Sequence, residues 1–265
     1  MDKGKLLDKI APAPEERMLL ARVLDKLEQA RQRNIPVSTD FLSPAQRTMA
    51  EDLLRLAGAG EEEYLAWGGY DGAERQVLLF LPEWMDPEGA EEELPLRYLR
   101  AEYRPEDKLT HRDILGSLMG LGIVREKVGD LLVGPSACDL VAAESVAEFL
   151  LQSGIGAGRA KLRVSAIGRE NLHIPVVQCQ EVRDTVAALR LDAVASTGFR
   201  LARGKVAALI ESGKVQVNWR ECTKPDKLLA EGDTVSARGF GKFELTEVGG
   251  MTKKGRRSIL IKRYV

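Results

Sequence analysis

Apolar positions recur every three or four residues near the start of the chain. Between residues 14 and 33, Met18, Leu19, Val23, Leu24 and Leu27 are separated by Arg, Asp, Glu and Lys, which predicts a helix with one apolar face. A second helix is predicted over 43–56. Ser43 and Pro44 supply an N-cap and a first-turn proline there, and Gly58-Ala59-Gly60 ends the pattern. From about residue 75 to 168 the period changes to short apolar runs between helix-like segments. Strands are predicted at 76–81, 94–103, 130–133, 138–141 and 161–167, and helices at 110–121 and 145–151. This order predicts an α+β arrangement, a sheet with helices on one face in the topology of a ferredoxin-like plait.

The pattern tightens again towards the end of the chain. Leu191-Asp192 opens a short helix with Val194 and Ala195, and Gly198 separates it from a second helix over 202–212 with Val206, Leu209 and Ile210 on its core side. Gly213 stops that helix, residues 215–218 alternate as a half-buried strand, and Glu231-Gly232-Asp233 turns the chain into another alternating strand at 234–238. The predicted regions are a helical one over 1–74, a central α+β domain over 75–180 and a C-terminal domain over 181–265.

Charge sharpens this division. From Arg183 onward there are 17 Lys and Arg against 9 Asp and Glu, a surplus of +8, whereas the preceding part carries 22 against 31, a net of −9. A compact basic segment attracts polyanions, because neutralising phosphates releases condensed counterions, so a nucleic acid is the expected partner. The composition, 44% hydrophobic and 30% charged, describes a soluble globular chain rather than a disordered one. No apolar run approaches the roughly 18 residues needed to span a bilayer, and the N-terminus lacks a secretory pattern, which predicts a cytoplasmic protein without membrane insertion. Cys138, Cys179 and Cys222 lie far apart, with only His111 and His173 as companions. They are expected to be buried or incidental thiols, with no metal site and no cofactor.

The ordered combination of Leu191-Asp192, LARGKVAALIESGKVQVN (201–218), Pro225 and EGDTVSARG (231–239) resembles the small RNA-binding domain named after ribosomal protein S-four. The resemblance covers about 185–243 and departs from the family pattern at Ala202, where a Ser often precedes the Arg. The basic side chains that match the family's RNA-facing surface are Arg200, Arg203, Lys205, Lys214, Arg220, Lys224 and Arg238. Upstream, GGYDGAER (68–75) and HRDILGSLMGLGIVREKVGDLLV (111–133) look like motifs of the YlmH family. Those bacterial proteins have a helical N-terminal part, a central RNA-binding domain and this C-terminal module. The resemblance implies an RNA-binding protein of the bacterial cytoplasm that associates with ribosomes, is linked to cell division through its genetic neighbourhood, and takes part in the rescue of stalled large subunits by engaging ribosomal RNA and tRNA.

Arg203 and Lys205 fall at a helix start, where unpaired N–H groups and the helix dipole favour phosphate, and RNA contact is the better reading there. Asn218 belongs to the candidate set, although a turn after the strand also explains it. Phe240 and Phe243, within Arg238-Gly-Phe-Gly-Lys-Phe243, partly match an aromatic base-stacking strand, but Lys242 replaces an aromatic and the position in the fold order is wrong. They are read as packing residues, with Lys242 kept among the RNA contacts. Lys253, Lys254, Arg256 and Arg257 precede the alternating residues 258–262, which fits a hairpin loop that grips phosphates or an ordinary solvated loop. Gly154-Ile-Gly-Ala-Gly158 lacks the strand, lysine and hydroxyl of a phosphate loop and is read as a connection. His111-Arg112-Asp113 echoes a kinase tripeptide without its companions. His111 is instead expected near a helix start capped by Thr110, and Arg112, Arg125 and Lys127 around that helix form a secondary RNA or partner surface. Glu61-Glu62-Glu63 and Glu91-Glu92-Glu93 read as solvated surface.

The function expected from these features is non-catalytic docking on structured RNA, namely ribosomal RNA and tRNA on the large ribosomal subunit. The alternatives are an RNA-modifying enzyme or its accessory, of the pseudouridine synthase or methyltransferase type, and an adaptor that binds protein partners through its acidic N-terminal part.

Overall fold

Pro14, followed by Glu15 and Glu16 at the positive end of the dipole, starts helix α2 (Pro14–Arg33) in the computed structural model, which describes residues 3–11, 13–158, 160–175 and 179–264. The chain divides into two units, 1–175 and 176–265.

In the first unit, α1 (Lys3–Ile10), α2 and α3 (Pro44–Leu56) pack around one apolar cluster. The buried stripe of α2 runs through Leu20, Val23, Leu24, Leu27 and Ala30. Met18 departs from the expected apolar face and is 58% exposed. At about 100° per residue it lies some 200° from Leu20, on the solvent side. The start of α3 follows the sequence: the Ser43 hydroxyl accepts the Gln46 N–H and the Gln46 side chain accepts the Ser43 N–H, a reciprocal cap. Strands β1 (Val37–Ser38), β2 (Tyr64–Trp67) and β3 (Val77–Phe80) form an antiparallel sheet in the order β1-β3-β2. Strand β3 is buried on both faces. Leu78 and Phe80 join the helical cluster, while Val77 and Leu79 join Phe41, Leu96 and Val141. The strand expected at 76–81 thus belongs to the N-terminal sheet and also packs against the central one.

The central part runs β4 (Leu96–Glu102), α4 (His111–Gly120), β5 (Val128–Val133), β6 (Ala137–Ala143), α5 (Glu144–Ser153), β7 (Ile155–Ala157) and β8 (Ala160–Ile167). The sheet order is β5-β6-β4-β8-β7, antiparallel throughout. Without β7 this is the order of a ferredoxin-like plait, with α4 and α5 contributing Ile114, Leu118, Ala147 and Leu150 to the core. The 154–158 stretch is corrected from a connection to a strand. Gly154, at φ 70, turns the chain so that Ile155 and Ala157 are buried against Leu162 and Ala160. The other face of the plait is covered as well. Arg100 holds buried Asp139 through two 2.7 Å hydrogen bonds, donates to Asn171 O, and Asp139 accepts the His173 N–H, so residues 171–173 lie across the strands.

The second unit contains β9 (Cys179–Val186), α6 (Leu191–Phe199), α7 (Arg203–Glu211), β10 (Val215–Val217), β11 (Arg220–Glu221), β12 (Thr234–Ala237), β13 (Gly241–Met251) and β14 (Arg257–Tyr264). Its sheet order is β11-β10-β12-β13-β14-β9, antiparallel. The helices bury Leu191, Val194, Val206 and Ile210 against Val215, Val217, Val235, Phe243, Leu245, Ile259 and Ile261. Phe243 is a packing residue, edge-on to Phe199 with ring centroids 5.0 Å apart. A Cβ on Gly198 would stand 2.3 Å from that ring, which is why glycine is needed there.

Candidate nucleic-acid interface

Two helices and a hairpin bring basic side chains together in the second unit. Arg190 is the extended N-cap residue of α6, Asp192 lies in the first turn, and Arg203 is the first residue of α7. The Asp192 side chain is 8% exposed, and its carboxylate accepts from both guanidiniums. Arg190 donates from Nε and Nη2 at 3.1 and 3.3 Å, and Arg203 from Nε and Nη2 at 3.0 and 2.9 Å. Burial by itself would raise the carboxyl's pKa. The hydrogen bonds from Arg190 and Arg203, reinforced by their charges, outweigh it and hold Asp192 below the ordinary carboxylate range. The chain around it is fixed too, with Leu191 N–H on Lys227 O and Asp192 N–H on Pro225 O. Each guanidinium uses two of its five N–H donors on Asp192, and its side chain remains 40% (Arg190) or 56% (Arg203) exposed.

The third contributor comes from the tip between β13 and β14. Arg256 donates from Nε to Thr185 Oγ1 at 2.9 Å and from Nη2 to Thr185 O, which ties the tip to β9. The strand register supports this, since Arg257 lies opposite Val186 and Ser258 opposite Thr185. Between β9, α6, α7 and the tip is a groove of about 280 Å³ lined by Arg190, Arg203, Arg256, Thr185, Ser196 and Thr197. Asp184 also lines it, accepting from Thr197 Oγ1 at 2.7 Å.

Of the residues singled out in the sequence, the groove unites Arg203 and Arg256. Arg200, in the left-handed cap of α6 at φ 55, donates to Gln180 Oε1. Lys205 stands over the Phe240 ring at 5.6 Å, and Lys214 is exposed beyond the glycine stop. Lys224 and Arg238 are exposed in turns, and Lys253, Lys254 and Arg257 are exposed at or beside the hairpin tip. Asn218 and Trp219 form the β10–β11 turn with φ of 49 and 65, and Arg220 follows in β11. The Asn218 side chain donates to Asp233 and accepts the Thr234 N–H, so it pins the turn. Lys242 lies elsewhere. It lies opposite Tyr264 in the register and stands over Trp219 and Tyr264 at 5.6 and 4.9 Å, one residue before buried Phe243 and hence on the sheet face away from the helices.

The secondary set splits in two. His111 and Arg112 are exposed at the start of α4, which Thr110 caps together with Asp113. Arg125 donates to Val128 O and Gly129 O. Burial, then repulsion from Arg75, lowers it to about 10. Lys127 pairs with Asp40 at 2.7 Å. The Arg125 side chain therefore braces the start of β5 within the central part, whereas Lys127 joins the central part to the N-terminal segment. Asp130 does the same for the GGYDGAER loop, accepting from Tyr70 Oη at 2.9 Å, Glu74 N at 2.7 Å and Arg75 N at 3.1 Å. Among the thiols, burial and then the Asp139 charge push Cys138 up to about 12, Cys222 is buried and Cys179 is exposed. Among the described residues no group of three His, Cys, Asp or Glu could hold a metal, and no helix is long and apolar enough to cross a membrane.

Sequence reading missed Arg190, Asp192 and the hydroxyls of β9 and α6. One signal was present: an acid in the first turn of a helix, flanked by one arginine and followed by another at the start of the next helix.

Three family models match the chain: "YlmH, N-terminal" over residues 15–83, "Putative RNA-binding domain in YlmH" over 96–171 and "S4 domain" over 189–235. A curated relative from Bacillus subtilis (strain 168), "Ribosome-associated protein quality control protein P2", is 37% identical over 229 residues, spanning 85% of this chain and 86% of the relative. A solved structure described as "Cell division protein ylmH from Streptococcus pneumoniae" aligns with a TM-score of 0.48 at 20% identity, covering 61% of this chain and 96% of that one.

Proposed function

The chain belongs to the YlmH family, and from that premise we propose that it is a non-catalytic RNA-binding protein that docks on ribosomal RNA and tRNA, on the large ribosomal subunit, in ribosome-associated quality control. The observation that carries this reading is the arginine arrangement of the second unit, where a buried carboxylate orients two guanidiniums beside a third from the hairpin. Oriented guanidiniums match phosphate geometry, and the +8 surplus of the segment from Arg183 supplies long-range attraction. The name of the Bacillus relative supports the ribosomal setting.

In this reading Arg203, Lys205 and Lys214 set the helix pair on folded RNA, Lys253 and Lys254 reach further along the backbone, and phosphate and shape recognition dominate over base reading. The central plait orients the complex, with His111 and Arg112 at its exposed helix start as further contacts. Sucrose-gradient sedimentation of cell lysate at two salt concentrations tests the proposal. Co-migration with the large subunit that weakens at high salt is expected; a protein that stays at the top of the gradient at low salt would overturn the ribosomal docking.

A further inference from the structure

We propose that the groove between β9, α6, α7 and the β13–β14 tip is the seat of a single internal phosphodiester of a bound RNA strand, gripped by Arg190, Arg203 and Arg256. The inference rests on the RNA-binding reading above and adds a specific site to it.

The three guanidiniums come from three separate elements and converge on one groove of about 280 Å³. That volume lies at or below the lower end of the roughly 300–1,000 Å³ of small-molecule pockets, so it suits one compact charged group better than a whole nucleotide. Each arginine already has a partner that orients it: Asp192 for Arg190 and Arg203, Thr185 for Arg256. Side chains held in this way lose less freedom on binding, which favours a fixed anion. Thr185, Ser196 and Thr197 also line the groove, with the Ser196 and Thr197 hydroxyls donating to Leu201 O and Asp184, so the arginines supply the grip.

Local charge selects the kind of phosphate. The three arginines face the carboxylates of Asp184 and Asp192, which leaves a net of +1. An internal phosphodiester carries one negative charge and balances it, whereas a terminal phosphate carries more and would be repelled by Asp184 once the arginines are neutralised. The site is also composite. The S4 match spans 189–235, and both Arg256 and its anchor Thr185 lie outside it, so the hairpin and β9 complete a seat that the matched segment only begins.

The test uses the full-length protein and ribosomal RNA purified from large subunits, with affinity measured across a range of salt. Arg256→Gln, with circular dichroism confirming its fold because Arg256 also ties the tip to β9, is expected to weaken binding about tenfold and to reduce the salt slope by roughly 0.7–0.9, the contribution of one phosphate contact. Arg256→Lys should restore the slope but not the full affinity, because an ammonium keeps the charge without the planar fork. Arg190→Gln should act like Arg256→Gln, with circular dichroism confirming its fold, and Arg55→Gln in α3, outside the second unit, serves as the control. Removing the terminal phosphates of the RNA should leave affinity unchanged. If affinity fell on that treatment, the assignment to an internal diester would be overturned. Wild-type affinity and slope in Arg256→Gln would overturn the seat while leaving RNA binding intact, whereas failure of the unaltered protein to bind the RNA would remove the broader reading together with it.

Discussion

Asp192 shows how one side chain can act through two others. Its carboxylate is buried, accepts four hydrogen bonds from Arg190 and Arg203, and sits below the ordinary carboxylate pKa because those bonds outweigh burial. A depressed carboxyl pKa stabilises the fold fully above the unfolded value, near pH 4, and that contribution is lost as pH falls through the lower folded value. Asp192→Asn is therefore expected to cost about 1–2 kcal/mol near neutrality, modest because both guanidiniums are partly solvated, with the difference from the parent narrowing as pH falls below the unfolded value of about 4. Urea unfolding at a series of pH values checks both the size and the sign. Equal stability of the two proteins at every pH would mean that the arginines are ordered by something else. The acid and the second arginine stood in the sequence as part of the resemblance, but their pairing did not, because a helix start and the next helix's first residue meet only when the helices pack.

At the scale of elements, local signals did well where neighbours in sequence decide the outcome. Pro14 and the Ser43 cap start their helices as expected, and Gly213 stops α7 before β10. Signals failed where a partner far along the chain decides. Residues 155–157 are a strand because β8 offers its edge, and the glycine-rich composition that suggests a loop serves to turn the chain at Gly154. Strand β3 reads as a plain apolar run, and only packing shows that one face meets helices and the other meets Phe41 and Val141. Its position is secured by the GGYDGAER loop, where Asp130 accepts from Tyr70, Glu74 and Arg75. Asp130→Ala removes the acceptor these donors share, and a loss on the order of 3 kcal/mol is expected in urea unfolding of the full chain. A loss below about 0.5 kcal/mol, the range of ordinary surface changes, would show that the apolar contacts alone hold the two sheets together.

For the whole molecule, charge is distributed by segment: −9 before Arg183 and +8 from there on. Exposed charges at the hairpin tip act mainly on encounter with a polyanion, so Lys253→Glu combined with Lys254→Glu is expected to lower the association rate with ribosomal RNA several-fold at low salt and to matter less as salt rises. Stopped-flow binding at two ionic strengths measures this, and an unchanged rate at low salt would remove the tip from the encounter. The sequence by itself determined the helix periods, the caps and stops, the charge division and the family motifs, since each depends on residue type and on neighbours within a few positions. Tertiary structure alone decided that residues 171–173 lie across Arg100 and Asp139 on the helix-free face of the plait, that Lys242 stands on the far face of the second sheet, and that Arg256 lines the same groove as Arg190 and Arg203. Those outcomes follow from strand pairing, above all β14 against β9, and pairing between distant segments leaves no periodic trace in the segments themselves.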